Sequence, residues 1–151
     1  MSNLAVGIDL GTTTSVVSVF REGRPHSIPD MRTRSPIIPS VIGLNKRGEL
    51  LVGHRAENEA VEKIRQAKRA MGKPDVFLLG GKGYRAEEVS ALILRHVVDN
   101  AIEYLGEPIT KVVISVPAYF GDLERRATMA AAEIAGLEVI RLVNEPTAAA
   151  L

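Results

Sequence analysis

Two carboxylates near opposite ends of this 151-residue chain stand where phosphate chemistry could be done. Asp9 closes the run V-G-I-D and leads directly into L-G-T-T-T-S, Leu10 to Ser15. Glu145 lies in N-E-P-T-A-A-A, Asn144 to Ala150. In the first motif Gly11 lets backbone approach a ligand closely. Successive N–H groups at a tight turn can form an anion-binding concavity, and Thr12, Thr13 and Thr14 add hydroxyl donors without adding charge. Asp9 could hold a hydrated magnesium ion, which takes one or two carboxylates together with water and phosphate oxygens. The spacing is neither that of the dinucleotide fingerprint nor that of the P-loop, so both of those sites are excluded. A glycine-threonine hairpin with a structural aspartate accounts for the same residues, and both readings stand at this point.

The second motif, V-V-I-S-V-P-A-Y-F from Val112 to Phe120, runs into G-D-L-E-R-R-A-T. A strand ending at Pro117 puts a rigid turn at the carboxyl edge of a sheet, where ligands sit in open α/β proteins. An ordinary strand-to-helix loop is the simpler reading of it. For the third motif, Asn-x-Pro is a helix start, and a first-turn glutamate suits the helix dipole. At the tip of a parallel strand, Glu145 could also orient or deprotonate a water for attack on a phosphoryl group. Lys68, in Q-A-K-R-A-M-G, reads as a solvated lysine on a helix end.

The elements that must position these residues follow from periodicity and punctuation. Leu4–Asp9, Ser15–Phe20 and a short run about His26–Pro29 predict an antiparallel meander, with E-G-R-P as one of its turns. Ser40–Leu44 and Leu50–Val52 flank the turn N-K-R-G. Residues 55–69, rich in alanine and charge, predict a helix, and the chain then turns through Val76–Leu79 and G-G-K-G. Ala86–Leu105 is the longest helix expected: Val89, Leu92, Ile93, Val97 and Ala101 make one face, and Gly106 ends it. Val112–Val116, nearly all β-branched, predicts a strand buried on both faces. A helix capped by Asp122 and stopped at Gly136 follows, then a strand over Glu138–Val143 and a final helix capped by Asn144. The order predicts an α/β layered sheet, antiparallel on one side and parallel where helical crossovers join strands.

Composition narrows the function classes. Apolar residues make up 46% and charged residues 25%, as in an average globular domain. A net charge of +1 favours neither nucleic acid nor an anionic membrane as a bulk electrostatic partner. With no cysteine there are no disulfides or thiolate metal sites, and three scattered histidines make no histidine-rich metal site. M-S-N before the first strand fits no signal peptide, and no apolar run approaches a membrane span. The expectation is a single cytoplasmic globular domain.

In this order and spacing the motifs resemble the DnaK-type heat-shock chaperones of the seventy-kilodalton class. G-I-D-L-G-T-T, V-P-A-Y-F, A-G-L-E-V and N-E-P-T-A-A-A are each close to that family's pattern, and the similarity runs from Val6 to Leu151. K-R-A-M-G and the short insertion look more like its HscC-like branch. The resemblance implies an actin-like ATPase fold, related to ribonuclease H, with ATP or ADP and magnesium in a cleft between two lobes. Residues 1–151 would be the first lobe, with a core subdomain over 1–38 and 86–151 and an inserted subdomain over 39–85. Leu151 would fall inside the helix begun at Asn144, as in a truncated piece lacking the second lobe, the linker and the peptide-binding domain.

Carried over position by position, the resemblance implies that Gly11, Thr12 and Thr13 bind phosphate and that Asp9 contacts magnesium through water. Lys68 would reach the γ-phosphate and Glu145 would position the attacking water. Pro117 and Arg125 would relay nucleotide state to the peptide-binding domain. The intact protein would be an ATP hydrolase that binds unfolded peptides, a J-domain co-chaperone and a nucleotide exchange factor, whereas this piece would bind nucleotide weakly and not turn over. Two departures stand out: Thr14 occupies a position where the family usually has asparagine, and R-S-P-I-I-P-S stands in place of R-T-T-P-S. The alternatives are another actin-like protein (a small-molecule kinase or a filament former) or a structural module that self-associates through its uncovered lobe interface.

Overall fold

The computed structural model of the chain describes residues 4–145. β1 (Ala5–Leu10), β2 (Thr14–Arg21) and β3 (Arg24–Ser27) pair antiparallel in a meander. The β2–β3 link is a two-residue turn in which Glu22 and Gly23 both take positive φ, 53° and 78°. That backbone matches the twist of a tight hairpin, and glycine enters it without steric cost. β4 (Ile38–Pro39) pairs with the start of β2, placing Pro39 opposite Thr14 and Ile38 opposite Ser15.

The chain then builds a separate three-stranded sheet from β5 (Val41–Leu44), β6 (Leu50–Val52) and β7 (Glu62–Arg65), in the order β6-β5-β7. α1 (His54–Glu59) connects β6 to β7, and a 3₁₀ turn over Ala67–Ala70 follows. β8 (Val76–Leu79) and β9 (Lys82–Arg85) form a hairpin. α2 (Ala86–Leu105), β10 (Lys111–Val116), α3 (Asp122–Ile134) and β11 (Glu138–Asn144) complete the described chain. β10 lies parallel to both β1 and β11, so the main sheet runs β11-β10-β1-β2-β3. It is antiparallel on one side and parallel on the other, as the order of elements predicted.

α2 and α3 cover one face of this sheet. Val6, Ile8 and Leu10 of β1, Val17 and Val19 of β2, and Val112, Ile114 and Val116 of β10 pack into one core with Val89, Leu94, Val97 and Ala101 of α2 and Ala127 and Ala131 of α3. Truncating a fully buried member such as Leu94 to alanine removes about 2–5 kcal/mol. α2 begins where the Arg85 N–H donates to Glu88 Oε1 at 2.9 Å and ends at Gly106, whose φ of 70° stops the helix. No helix among the described residues is long and apolar enough to cross a membrane.

Several expectations are corrected. The helix over residues 55–69 breaks after α1: β7 pairs in register with β5 (Ile42 opposite Ile64), and Gln66 takes a left-handed φ of 56°. Alanine and charge favour a helix locally, but Ile64 has a core to join only as a strand, and tertiary pairing prevails. Val76–Leu79 is a strand, its turn lying at Gly80 and Gly81. β10 is not buried on both faces; it alternates, with Val113 and Ser115 half-buried on the face away from the helices. Gly121, not Asp122, occupies the cap of α3. Asn144 closes β11, and the helix expected after it lies outside the described residues.

A polar cluster sits where the three-stranded sheet meets α2. Asp30 is buried, and its Oδ1 accepts the N–H groups of Arg32 and Thr33 at 2.8 and 2.9 Å. Burial disfavours its ionised form, but those two bonds and the nearby His54 and His96 outweigh this and hold the carboxyl below its ordinary value. Burial pushes the His96 imidazole below its ordinary value, against the opposing pull of Asp30 and Asp99. His96 Nε2 is enclosed and has no hydrogen-bond partner among the described residues.

Candidate functional site

Because β1, β10 and β11 run parallel, their carboxyl ends meet at one sheet edge. Asp9 is opposite Ser115, and Ser115 is opposite Val143. Just beyond β11, the Glu145 N–H donates to the Val116 carbonyl at 2.7 Å and fixes the entry to the third motif. Asp9 is exposed, on the sheet face turned away from α2 and α3. The Ser115 hydroxyl lies 3.2 Å from Asp9 Oδ1 and 3.5 Å from the Ile8 carbonyl; both oxygens only accept, so the serine is the donor.

The turn from β1 to β2 comprises Gly11, Thr12 and Thr13, with Thr13 and Thr14 exposed. It is too tight for a side chain at its first residue: a Cβ on Gly11 would lie 2.2 Å from the Thr14 carbonyl oxygen. Thr14 is the first residue of β2 and faces Pro39. The turn is held from behind by Ser40, whose N–H donates to the Thr13 carbonyl and whose hydroxyl donates to the Gly11 carbonyl, each at 2.9 Å.

Lys68 is not the solvated lysine that its local sequence suggested. The left-handed residue Gln66 and the 3₁₀ turn after it direct Lys68 inward, leaving its side chain 9% exposed. Its Nζ donates to Glu145 Oε1 at 3.0 Å, across 77 residues of sequence. The ammonium also sits 5.7 Å from the centre of the Phe120 ring, within reach of a cation–π attraction. Nζ carries three hydrogens, so the bond to Glu145 leaves donors for a second anionic partner.

Pro117 and Arg125 belong to one connected strut. The buried Pro117 ends β10, and its carbonyl accepts the Phe120 N–H at 3.0 Å. Arg125, in the first turns of α3, donates through Nε to the Phe120 carbonyl at 3.1 Å and through a terminal nitrogen to Asn144 Oδ1 at 2.8 Å. The guanidinium thus ties the turn after β10 to the end of β11, one residue before Glu145.

One edge therefore holds the Asp9 carboxylate, the Gly11–Thr13 turn, the Lys68–Glu145 pair and the Pro117–Arg125 strut. No three acidic or histidine side chains gather into a metal cage among the described residues. A single exposed carboxylate fits instead a magnesium ion that keeps its water shell. Sequence reasoning missed Ser115, Ser40 and Asn144, which hold Asp9, the turn and Arg125. Ser115 carried a faint signal, a lone hydroxyl on the alternate face of an otherwise β-branched strand. For Ser40 and Asn144 the partners are distant in sequence, and local pattern gives no sign of them.

A family model described as "Hsp70 protein" matches residues 5–77 and 75–151. Among curated proteins, the chaperone protein DnaK of Cenarchaeum symbiosum (strain A) is 44% identical over 153 aligned residues, covering 97% of this chain and 23% of that relative. The chain thus spans about a quarter of the relative's length.

Proposed function

This chain belongs to the Hsp70 family and has its actin-like ATPase fold, and on that premise we propose that it is the first lobe of the nucleotide site of a DnaK-type chaperone. The observation that carries the proposal is the Lys68–Glu145 ion pair at the same sheet edge as Asp9 and the Gly11–Thr13 turn. In this reading the inserted subdomain spans residues 39–85 and the core subdomain the remainder.

Gly11, Thr12 and Thr13 face the phosphates with backbone and hydroxyl donors, and Thr14 sits at the entrance to β2. Asp9, oriented by Ser115, would hold magnesium through its water shell, and the ion would supply charge neutralisation at the phosphate oxygens. Lys68 donates to an oxygen of the terminal phosphoryl group while its contact with Glu145 keeps the carboxylate in place. Glu145 accepts a hydrogen from the attacking water and aligns it with the phosphorus. Transfer of a phosphoryl group depends on positioning and on charge stabilisation around the whole group, which one wall of a cleft supplies only in part. In the longer protein the opposite wall would come from a second lobe. The Pro117–Arg125–Asn144 strut would carry a displacement at Glu145 into α3, the first step of a relay toward a peptide-binding domain. Unfolded peptides, a J-domain co-chaperone and a nucleotide exchange factor would be the partners of that protein in the cytoplasm.

Calorimetric titration of magnesium-ATP into the full-length protein and into this 151-residue chain tests the reading. Tight binding to the former, with weak binding and no turnover in the latter, is expected. Submicromolar affinity or magnesium-dependent hydrolysis by the short chain alone would overturn the single-wall account.

A further inference from the structure

Ser40 closes R-S-P-I-I-P-S, residues 34–40. It is buried, 4% exposed, directly behind the turn between β1 and β2. Its hydroxyl lies 2.9 Å from the Gly11 carbonyl oxygen and 2.8 Å from Oγ of the fully buried Ser15. A hydroxyl carries one hydrogen and a carbonyl can only accept, so the hydrogen of Ser40 goes to Gly11. Ser15 must then donate to Ser40, and a buried relay runs from Ser15 through Ser40 to the Gly11 carbonyl. The Ser40 N–H separately holds the Thr13 carbonyl at 2.9 Å.

These contacts decide the direction of the turn's amides. In a trans peptide the C=O and the N–H of the next residue point to opposite sides, and the described chain has no cis peptide. With the Gly11 and Thr13 carbonyls drawn back to Ser40, the N–H groups of Thr12 and Thr14 are turned away from it. A peptide flipped the other way would present a carbonyl oxygen to an anion, and the two would repel. We propose that Ser40 is a positioning residue of the phosphate site, setting alternate amides of the Gly11–Thr14 turn in the orientation that an anion requires. This deepens the nucleotide reading above and rests on it. Ser40 is followed directly by β5, the first strand of the sheet that leads on to Lys68, so the turn and the lysine share one anchor.

The test is calorimetric titration of magnesium-ATP, magnesium-ADP and adenosine into the full-length protein and its Ser40→Ala, Ser40→Thr and Ser15→Ala variants. Ser40→Ala leaves the Gly11 carbonyl without its donor and should weaken ATP and ADP by about tenfold. Adenosine, which carries no phosphate, should change by less than about twofold. Ser40→Thr keeps the hydroxyl and should restore nucleotide affinity to within about threefold of the parent. Ser15→Ala removes only the donor behind Ser40 and should weaken both nucleotides by about threefold, again sparing adenosine. A Ser40→Ala protein that binds ATP as the parent does, or that loses adenosine equally, overturns the inference and leaves the nucleotide reading standing. A parent that binds no ATP overturns both. Where Ser40→Ala fails to fold, Ser15→Ala decides by the same criteria.

Discussion

Replacing Gly11 by alanine should destabilise this chain by about 1–3 kcal/mol, the usual cost of forcing an extra carbon into a packed site. The new Cβ would lie 2.2 Å from the Thr14 carbonyl oxygen and 3.4 Å from the Thr14 carbonyl carbon. Relief requires the two sides of the turn to part by roughly 1 Å, since ordinary contact begins near the sum of van der Waals radii. The turn is not free to part. Ser40 holds the carbonyls of Gly11 and Thr13, and Leu10 and Ser15 are opposite each other in the β1–β2 register. Gly7, on the same strand, is the internal control: its Cβ would find nothing nearer than the Ser18 carbonyl oxygen at 4.0 Å. Gly7→Ala should therefore be neutral or stabilising by up to about 1 kcal/mol, because alanine narrows the unfolded ensemble. Urea unfolding followed by circular dichroism measures both variants. For a domain of this size the Gly11→Ala loss corresponds to a melting temperature lower by roughly 3–10 °C. A Gly11→Ala midpoint at or above that of Gly7→Ala would refute the reasoning, because the turn would then have room the geometry denies it.

Three further outcomes follow from the same geometry. Glu145→Ala strands the mostly buried ammonium of Lys68 and should cost about 1–3 kcal/mol, between the values for surface and buried pairs; a double-mutant cycle with Lys68→Met should show coupling of about 1 kcal/mol, and additive effects would contradict the pair. His96 is held below its ordinary value of 6.5, so the unfolded chain takes up its proton first as pH falls through that value; its contribution to stability is complete above about 6.5 and is lost on acidification. His96→Gln should flatten the denaturation midpoint measured at about pH 7.5 and about pH 5.5, and an unchanged pH slope would contradict the buried neutral imidazole. Arg125→Ala releases Asn144 and the Phe120 carbonyl, and should raise amide exchange at Glu145 about tenfold; Arg125→Lys should not rescue it, because lysine lacks the planar fork that makes both bonds.

Much of the frame was legible because it is written in local signals. The apolar stripe of α2 and the glycine at its end gave that helix its bounds. The order of strands and helices gave the mixed sheet, because parallel neighbours need long crossovers and antiparallel ones need only turns. What escaped was decided by distant partners. β7 became a strand because β5 offered it an edge, and Lys68 became an ion-pair donor because the fold brings it to Glu145, a partner 77 residues away in sequence. Ser115 is half-buried on the sheet face turned from the helices, so its alternation with Ile114 and Val116, not the β-branched character of the run, held the information. The Gly11–Thr14 motif was conspicuous, yet the serines that orient it were not, since nothing within R-S-P-I-I-P-S shows that its last residue sits behind that turn.

In the proposed site Lys68 and Glu145 act on a phosphoryl group bound at the Gly11–Thr13 turn. Single-turnover hydrolysis of magnesium-ATP by the full-length protein tests it most directly, with Glu145→Gln and Lys68→Met compared against the parent after ATP binding is saturated. Each variant should still bind ATP, and Glu145→Gln should slow the chemical step by about 10²–10⁴-fold, the range for a residue that activates the attacking water. Parent-like turnover by Glu145→Gln at saturation would contradict it.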